Sequence, residues 1–245
     1  MSKLNKKNTL ERILHSQGFG ARKLCRFLAR SGAVRVNGAL CDNPDEYFEF
    51  DNLLLEVEGF EGLWPVREHA FILLNKPVGY ECSRAPKHHP GVLSLLPAPL
   101  RERNVQPVGR LDVDTSGMLL LTDNGQCIHV LTSPKHAVAK VYRATLAEPA
   151  TPSLCEQLLA GVLLKDENET LAAQGCRLIE PTLLEITIAQ GKYHQVRRMI
   201  VAAGNHVQAL TRTSIGDLDL PSDLLPGQWR WLNPAQVQLA GWEPR

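Results

Sequence analysis

Residues 109–125 read Gly109-Arg110-Leu111-Asp112-Val113-Asp114-Thr115-Ser116-Gly117-Met118-Leu119-Leu120-Leu121-Thr122-Asp123-Asn124-Gly125. The unbroken apolar run Met118–Leu121 predicts a buried strand. Gly109 and Gly117 bound a polar loop ahead of it. A carboxylate in such a loop, fixed at one end by a strand, is well placed for chemistry on a bound ligand. Two carboxylates compete for that role, Asp112 and Asp114. The loop by itself does not separate them, because Asp114 also fits as the turn or cap acceptor for Thr115 to Gly117.

Outward from this loop, Phe71-Ile72-Leu73-Leu74 is a second unbroken apolar run and predicts a doubly buried strand. It runs into the turn Asn75-Lys76-Pro77-Val78-Gly79-Tyr80. Val138 to Leu146, containing Lys140-Val141-Tyr142, alternates, as does Leu183 to Ile188. Thr151-Pro152 predicts the opening of a helix through Leu159. Lys192 to Ala203, closed by Gly204, puts Val196, Ile200 and Ala203 on one face. Asn233-Pro234 opens a last short helix. Strands without regular helix alternation predict an α+β domain over residues 69–245, with a mixed, mostly antiparallel sheet flanked by helices.

The N-terminal part reads differently. Residues 1–8 form a polar, basic arm. Thr9 caps a short helix carrying Leu10, Ile13 and Leu14, which Gly18-Phe19-Gly20 ends. A second helix is expected from Ala21 to Ser31, with Leu24, Phe27 and Leu28 inward and Gly32 as its stop. Arg22, Arg26 and Arg30 recur every four residues and form one basic ridge, with Lys23 beside it. Asn37-Gly38 between apolar runs predicts a hairpin. Gly and Pro content makes residues 59–68 a linker.

The 245 residues carry a net charge of +1, which excludes a global polycation. That total hides a separation: residues 1–35 hold nine Lys or Arg against Glu11 alone, whereas residues 42–61 hold eight acids and no Lys or Arg. Six dispersed cysteines without a Cys-x-x-Cys pair read as reduced and mostly buried. His88-His89, among prolines, reads as a loop and not a metal-ligand pair, so no metal is expected. With no apolar signal core and no run of membrane-spanning length, a cytoplasmic protein is expected. No Gly-rich phosphate loop precedes a helix.

The Gly109–Gly117 loop resembles the signature loop of pseudouridine synthases, in the RsuA branch of that family. The resemblance implies that Asp112, the acid of Gly-Arg-Leu-Asp, is catalytic. It runs through Asn75–Gly79, Lys140–Tyr142, Gly191–Met199, Gly204–Val207 and Leu225–Gly227, nearly the whole chain. In Gly191-Lys192-Tyr193-His194-Gln195-Val196-Arg197-Arg198-Met199 the basic residue two positions after Gln195, Arg197, is implied to pair with Asp112. Tyr142 is implied to stack on the uracil and Arg110 to hold the flipped-out state or the RNA backbone. Lys76 is implied to reach phosphate or brace the loop. Lys192, His194, Gln195 and Arg198 are left to the RNA. Met118 stands where the family has Leu, a change a core absorbs.

Residues 9–58 resemble the ribosomal-protein S-four-like RNA-binding module, which implies that Arg22, Lys23, Arg26 and Arg30 face RNA. The implied reaction breaks a carbon–nitrogen glycosidic bond, turns the uracil and rejoins it through ring carbon five. Its product is an isomer, so no cofactor is expected. The partner is ribosomal RNA or a ribosomal assembly particle, and the protein is expected to be a monomer. Leu131-Thr132-Ser133-Pro134-Lys135-His136 resembles the small-subunit branch. A large-subunit uridine, a non-catalytic assembly factor and a nucleoside or glycoside hydrolase are the alternatives, the last needing a second carboxylate across the substrate.

Overall fold

The computed structural model describes residues 7–243, which fall into two units. The first takes the chain up to Ala70 together with Leu96–Val105, and the second takes Phe71–Leu95 and the chain from Gln106. Residues 1–6 of the expected basic arm lie outside the described residues.

In the first unit, α1 (Leu10–Ser16) is capped by Thr9, whose hydroxyl accepts from the Arg12 N–H at 3.4 Å. Its Leu10, Ile13 and Leu14 are fully buried. In α2 (Arg22–Arg30) the buried residues are Cys25 and Ala29, whereas Leu24 and Phe27 are 47% and 66% exposed. This corrects the expected inward set. Small residues four apart make the narrow seam of this helix, and the larger apolar side chains turn outward.

Strands β1 (Val34–Val36) and β2 (Ala39–Leu40) form the expected hairpin. Asn37 (φ 48°) and Gly38 (φ 82°) both take the positive φ that a tight two-residue turn requires. Strands β3 (Leu54–Val57) and β4 (Trp64–Pro65) complete a sheet of order β2-β1-β3-β4. Part of the expected linker is therefore a strand. Trp64 anchors it, buried edge-on against Phe19 at 5.2 Å between ring centroids. The later segment contributes α3 (Ala98–Glu102) and Arg103, which donates to the buried Gln17 side chain at 2.7 Å.

The second unit is built on one mixed sheet. Its main strands are β5 (Phe71–Lys76), β6 (Thr115–Thr122), β7 (Lys140–Leu146), β8 (Gly175–Glu180), β9 (Leu183–Ile188), β10 (Val207–Ile215) and β11 (Trp229–Trp231). Their order is β8-β9-β7-β10-β6-β5-β11, with Gln106–Pro107 and Leu218–Asp219 as short additions on β6 and β10. Every pairing on that path is antiparallel except β6 with β10, which is parallel and sets Thr115 beside Leu210 and Gly117 beside Arg212. The alternation read in Leu183–Ile188 is the alternation of burial along β9.

Among the described residues, four α-helices belong to this unit: α4 (Gly125–Thr132), α5 (Leu154–Ala160), α6 (Gln195–Ala202) and α7 (Pro234–Leu239). The Asn124 side chain caps α4 by accepting from the Cys127 N–H at 2.9 Å. Asn233 and Gln236 close a reciprocal capping box on α7. Helix α5 starts at Leu154, two residues later than Thr151-Pro152 suggested, with Ser153 at its N-cap. The core joins Leu73, Met118 and Leu120 of the sheet to Leu131, Val237 and Trp242, so Met118 is absorbed as expected.

Candidate active site

The Asp112 loop hangs between two fixed ends. At one, Lys76, the last residue of β5, is fully buried. Its Nζ donates to the carbonyls of Thr115 at 2.8 Å, Asp112 at 3.0 Å, Pro77 at 3.1 Å and Val113 at 3.4 Å. Burial pulls its pKa below the ordinary lysine value. Lys76 thus braces the loop and cannot reach a phosphate, which corrects its assignment to RNA. At the other end, Gly117 (φ +100°) lies against β10 so closely that a Cβ there would sit 2.2 Å from the Arg212 carbonyl oxygen.

The Asp112 side chain is 34% exposed, and its Oδ1 lies 3.3 Å from Nε2 of His194. His194 takes the left-handed conformation (φ 47°) at the N-cap of α6, and the ring of exposed Tyr193 stacks on it with centroids 3.9 Å apart. Arg197 does not pair with Asp112. Its Nη2 meets Asp114 Oδ2 at 2.9 Å, and its Nη1 donates to the Val207 carbonyl at 3.1 Å. The anchor on Val207 directs the guanidinium to the outer carboxylate of the loop, and the inner one faces the histidine.

Other expected RNA contacts are engaged within the protein. Gln195 is buried; it accepts from the Lys192 N–H at 3.1 Å and donates to Gln190 at 3.1 Å, closing the turn before α6. Glu167 takes Lys192 at 2.5 Å and lies 3.8 Å from Arg198, which also donates to the Tyr193 and Lys165 carbonyls. Arg26 forks onto Asp45 at 2.7 and 2.8 Å, which holds the Asp45 carboxyl below its usual range. Arg22 lies 3.7 Å from Glu11. Lys23, Arg30 and Arg110 are exposed.

A cavity of about 420 Å³ opens beside Asp112. Arg110, Asp112, Thr115, Tyr142, His194 and Arg197 line it, with Lys140, Arg212 and apolar side chains of β9 and β10. Tyr142, buried on β7, sits in register between Ile186 and Arg212. The fold thus brings Asp112, Tyr142, Arg197 and Arg110 to one concavity. His194 was expected at phosphates, and Thr115, Lys140 and Arg212 were not expected at all. Arg212 left one faint sequence signal, being the lone cation of the strand that ends at Ile215.

A half-buried carboxylate, an aromatic and several cations around a cavity of this size suit a planar, hydrogen-bonding ligand. Residues 70–202, more than half of the chain, match the family of RNA pseudouridylate synthases, and the chain belongs to it. It is 42% identical over 210 residues to ribosomal small subunit pseudouridine synthase A of Escherichia coli, covering 85% of this chain and 89% of that protein. It is 41% identical to the protein of the same name from Vibrio parahaemolyticus, over 88% of this chain and 92% of the relative. A crystal structure of a pseudouridylate synthase superposes with a TM-score of 0.67 at 32% identity, covering 95% of this chain and 99% of that one.

Proposed function

We propose that the protein isomerises a uridine of small-subunit ribosomal RNA to pseudouridine, with Asp112 as the catalytic carboxylate. The observation that carries this reading is the opening of Asp112 and Tyr142 onto the same cavity, on a chain of this family. The small-subunit target rests on the names of the relatives.

The chemistry follows from the side chains. Breaking the bond between N1 and C1′ builds positive character on the sugar, which an ionised Asp112 stabilises. A uridine must leave its stack to enter, and Tyr142 offers an aromatic surface to the extruded base. His194 orients the carboxylate from 3.3 Å. Arg110 lines the cavity and, in this reading, holds the RNA backbone.

The first unit is the docking module in this reading, an S-four-like pair of helices on a small sheet. Lys23 and Arg30 are exposed on α2 for phosphates. The protein works as a cytoplasmic monomer, where its RNA substrate is made, and an isomerisation calls for no redox cofactor.

The test is tritium release from RNA labelled at carbon five of uridine. Asp112→Asn is expected to abolish release while the affinity for RNA stays within a few-fold of the parent. Retained turnover in that variant sinks the assignment, and loss of both properties points to a folding defect.

A further inference from the structure

The cavity floor is chemically unlike its rim. Exposed Arg110 and Lys192 border the opening, whereas Ile188, Leu210 and Ile215 below are almost completely buried. Into that apolar floor β10 sets a guanidinium. Arg212 is 3% exposed, and its Nε donates to the Met118 carbonyl at 2.8 Å, which fixes the plane of the group. Its Nη2 is shielded from water and has no partner among the described residues. Thr115, 1% exposed on the adjacent strand, likewise leaves its hydroxyl unpartnered.

A buried guanidinium with an unused N–H is costly unless something completes it. Two unused polar groups on neighbouring strands, both bordering one cavity, point to a ligand as that something. A phosphate would keep its hydration at the basic rim. A flat ring with carbonyl oxygens on its edge matches a floor that is mostly apolar with a fixed donor. Lys140 adds to the positive potential: its Nζ donates to the Val138 carbonyl at 2.6 Å, and burial together with the Arg212 charge brings its pKa down to about 8.

We propose that Arg212 is a further catalytic residue, its guanidinium donating to a uracil carbonyl oxygen and stabilising the negative charge the base acquires as it leaves the sugar. This rests on the isomerase reading above. When the N1–C1′ bond breaks, its electron pair goes to N1 and spreads over O2 and O4. Arg212 remains protonated throughout. A pair from the ring then forms the C5–C1′ bond, and the proton on C5 ends on N1, so product and substrate have the same atoms. The Thr115 hydroxyl serves the same edge of the base. A fixed donor aimed at developing charge in a water-poor site belongs to the largest contributions enzymes use.

The experiment follows single-turnover loss of the uridine N-glycosidic bond in small-subunit ribosomal RNA transcripts made with uridine or with 5-fluorouridine. Arg212→Met is expected to slow the uridine reaction about 100-fold, with RNA affinity nearly unchanged. Arg212→Lys, which keeps the charge, should recover part of the rate. Fluorine makes the departing anion more stable, so it should help the methionine variant about tenfold more than the parent. Equal effects of fluorine on parent and variant would overturn the proposal, as would a methionine variant within about threefold of the parent rate. If Arg212→Met does not fold, Arg212→Lys carries the same fluorine comparison. A parent enzyme that leaves every uridine unchanged overturns the isomerase reading itself, a result distinct from loss of the Arg212 effect alone.

Discussion

Arg197 reaches Asp114 at 2.9 Å and holds α6 onto the loop two residues beyond Asp112. Because the Asp114 side chain is 62% exposed, the pair adds little to global stability, about 1 kcal/mol or less. Its effect falls on loop position. Arg197→Ala is expected to lower tritium release about 10- to 100-fold, since small misplacements at a reacting centre are expensive. Asp114→Asn should act in the same direction but less, and the double variant should be no worse than Arg197→Ala. Additive losses would mean that the arginine acts elsewhere, on Asp112 or on the substrate.

Lys76 holds four carbonyls of the turn and loop from inside the protein. Lys76→Met removes this donor from all four, leaving Asp112 and Val113 only their backbone partners, the N–H groups of Thr115 and Gly79, and should destabilise the fold by about 2–4 kcal/mol. Urea midpoints read the stability, and tritium release should fall with it even at low temperature where the variant stays folded. A stable variant with ordinary turnover would show that the carbonyls find other donors.

Gly117 has no room for a side chain. A Cβ would stand 2.2 Å from the Arg212 carbonyl oxygen and 2.8 Å from its nitrogen, at a φ of +100° that L residues rarely adopt. Gly117→Ala is expected to cost about 3 kcal/mol or more, because the β6–β10 pairing has to open. Thermal unfolding checks this. A shift of under a few degrees would mean that the two strands separate at little cost.

Lys140 links stability to pH. Its folded pKa of about 8 lies below the ordinary 10.5, so the folded protein disfavours the charged form. That penalty is fully present below pH 8 and shrinks as pH rises from about 8 to 10.5, where the unfolded chain binds more protons. Lys140→Met should therefore be more stable than the parent at pH 7, with the gap closing by pH 10. Urea unfolding of both proteins at the two pH values reads the difference directly, and a gap that widens with pH would contradict the sign.

Arg26 is already spent on Asp45 in the first unit. Asp45→Ala should release that guanidinium, tighten RNA binding and steepen the salt dependence of the association constant by about one unit of log–log slope. Filter binding between low and moderate salt measures it. An unchanged slope would place α2 away from the RNA.

Periodicity made the strands legible, because Ile72–Leu74 and Met118–Leu121 are buried throughout and Leu183–Ile188 on alternate residues, as their side-chain patterns require. Local chemistry made the caps legible at Thr9, Asn37-Gly38 and Asn233. The seam of α2 was not, because Cys25 and Ala29 are small and carry a weaker signal than Leu24 and Phe27. Trp64–Pro65 hid as a strand behind its glycines, since its partner is set by long-range pairing. At the site, the family resemblance led to the residues around the cavity, but sequence spacing cannot say which cation meets which carboxylate. That choice depends on the left-handed turn at His194 and on the Val207 anchor of Arg197. For Arg212 the faint signal of a lone cation could not point to the site, because a strand carries no local mark of what its neighbour brings.

The parallel contact between β6 and β10 joins residues 95 positions apart along the chain, as in Thr115 with Leu210. A nascent chain that has emerged through Asp112, Tyr142 and even Arg197 therefore still has nothing to close the pocket from below. The cavity wall is therefore complete only once the Val207–Ile215 strand, which brings Leu210, Arg212 and Ile215, has been made and paired.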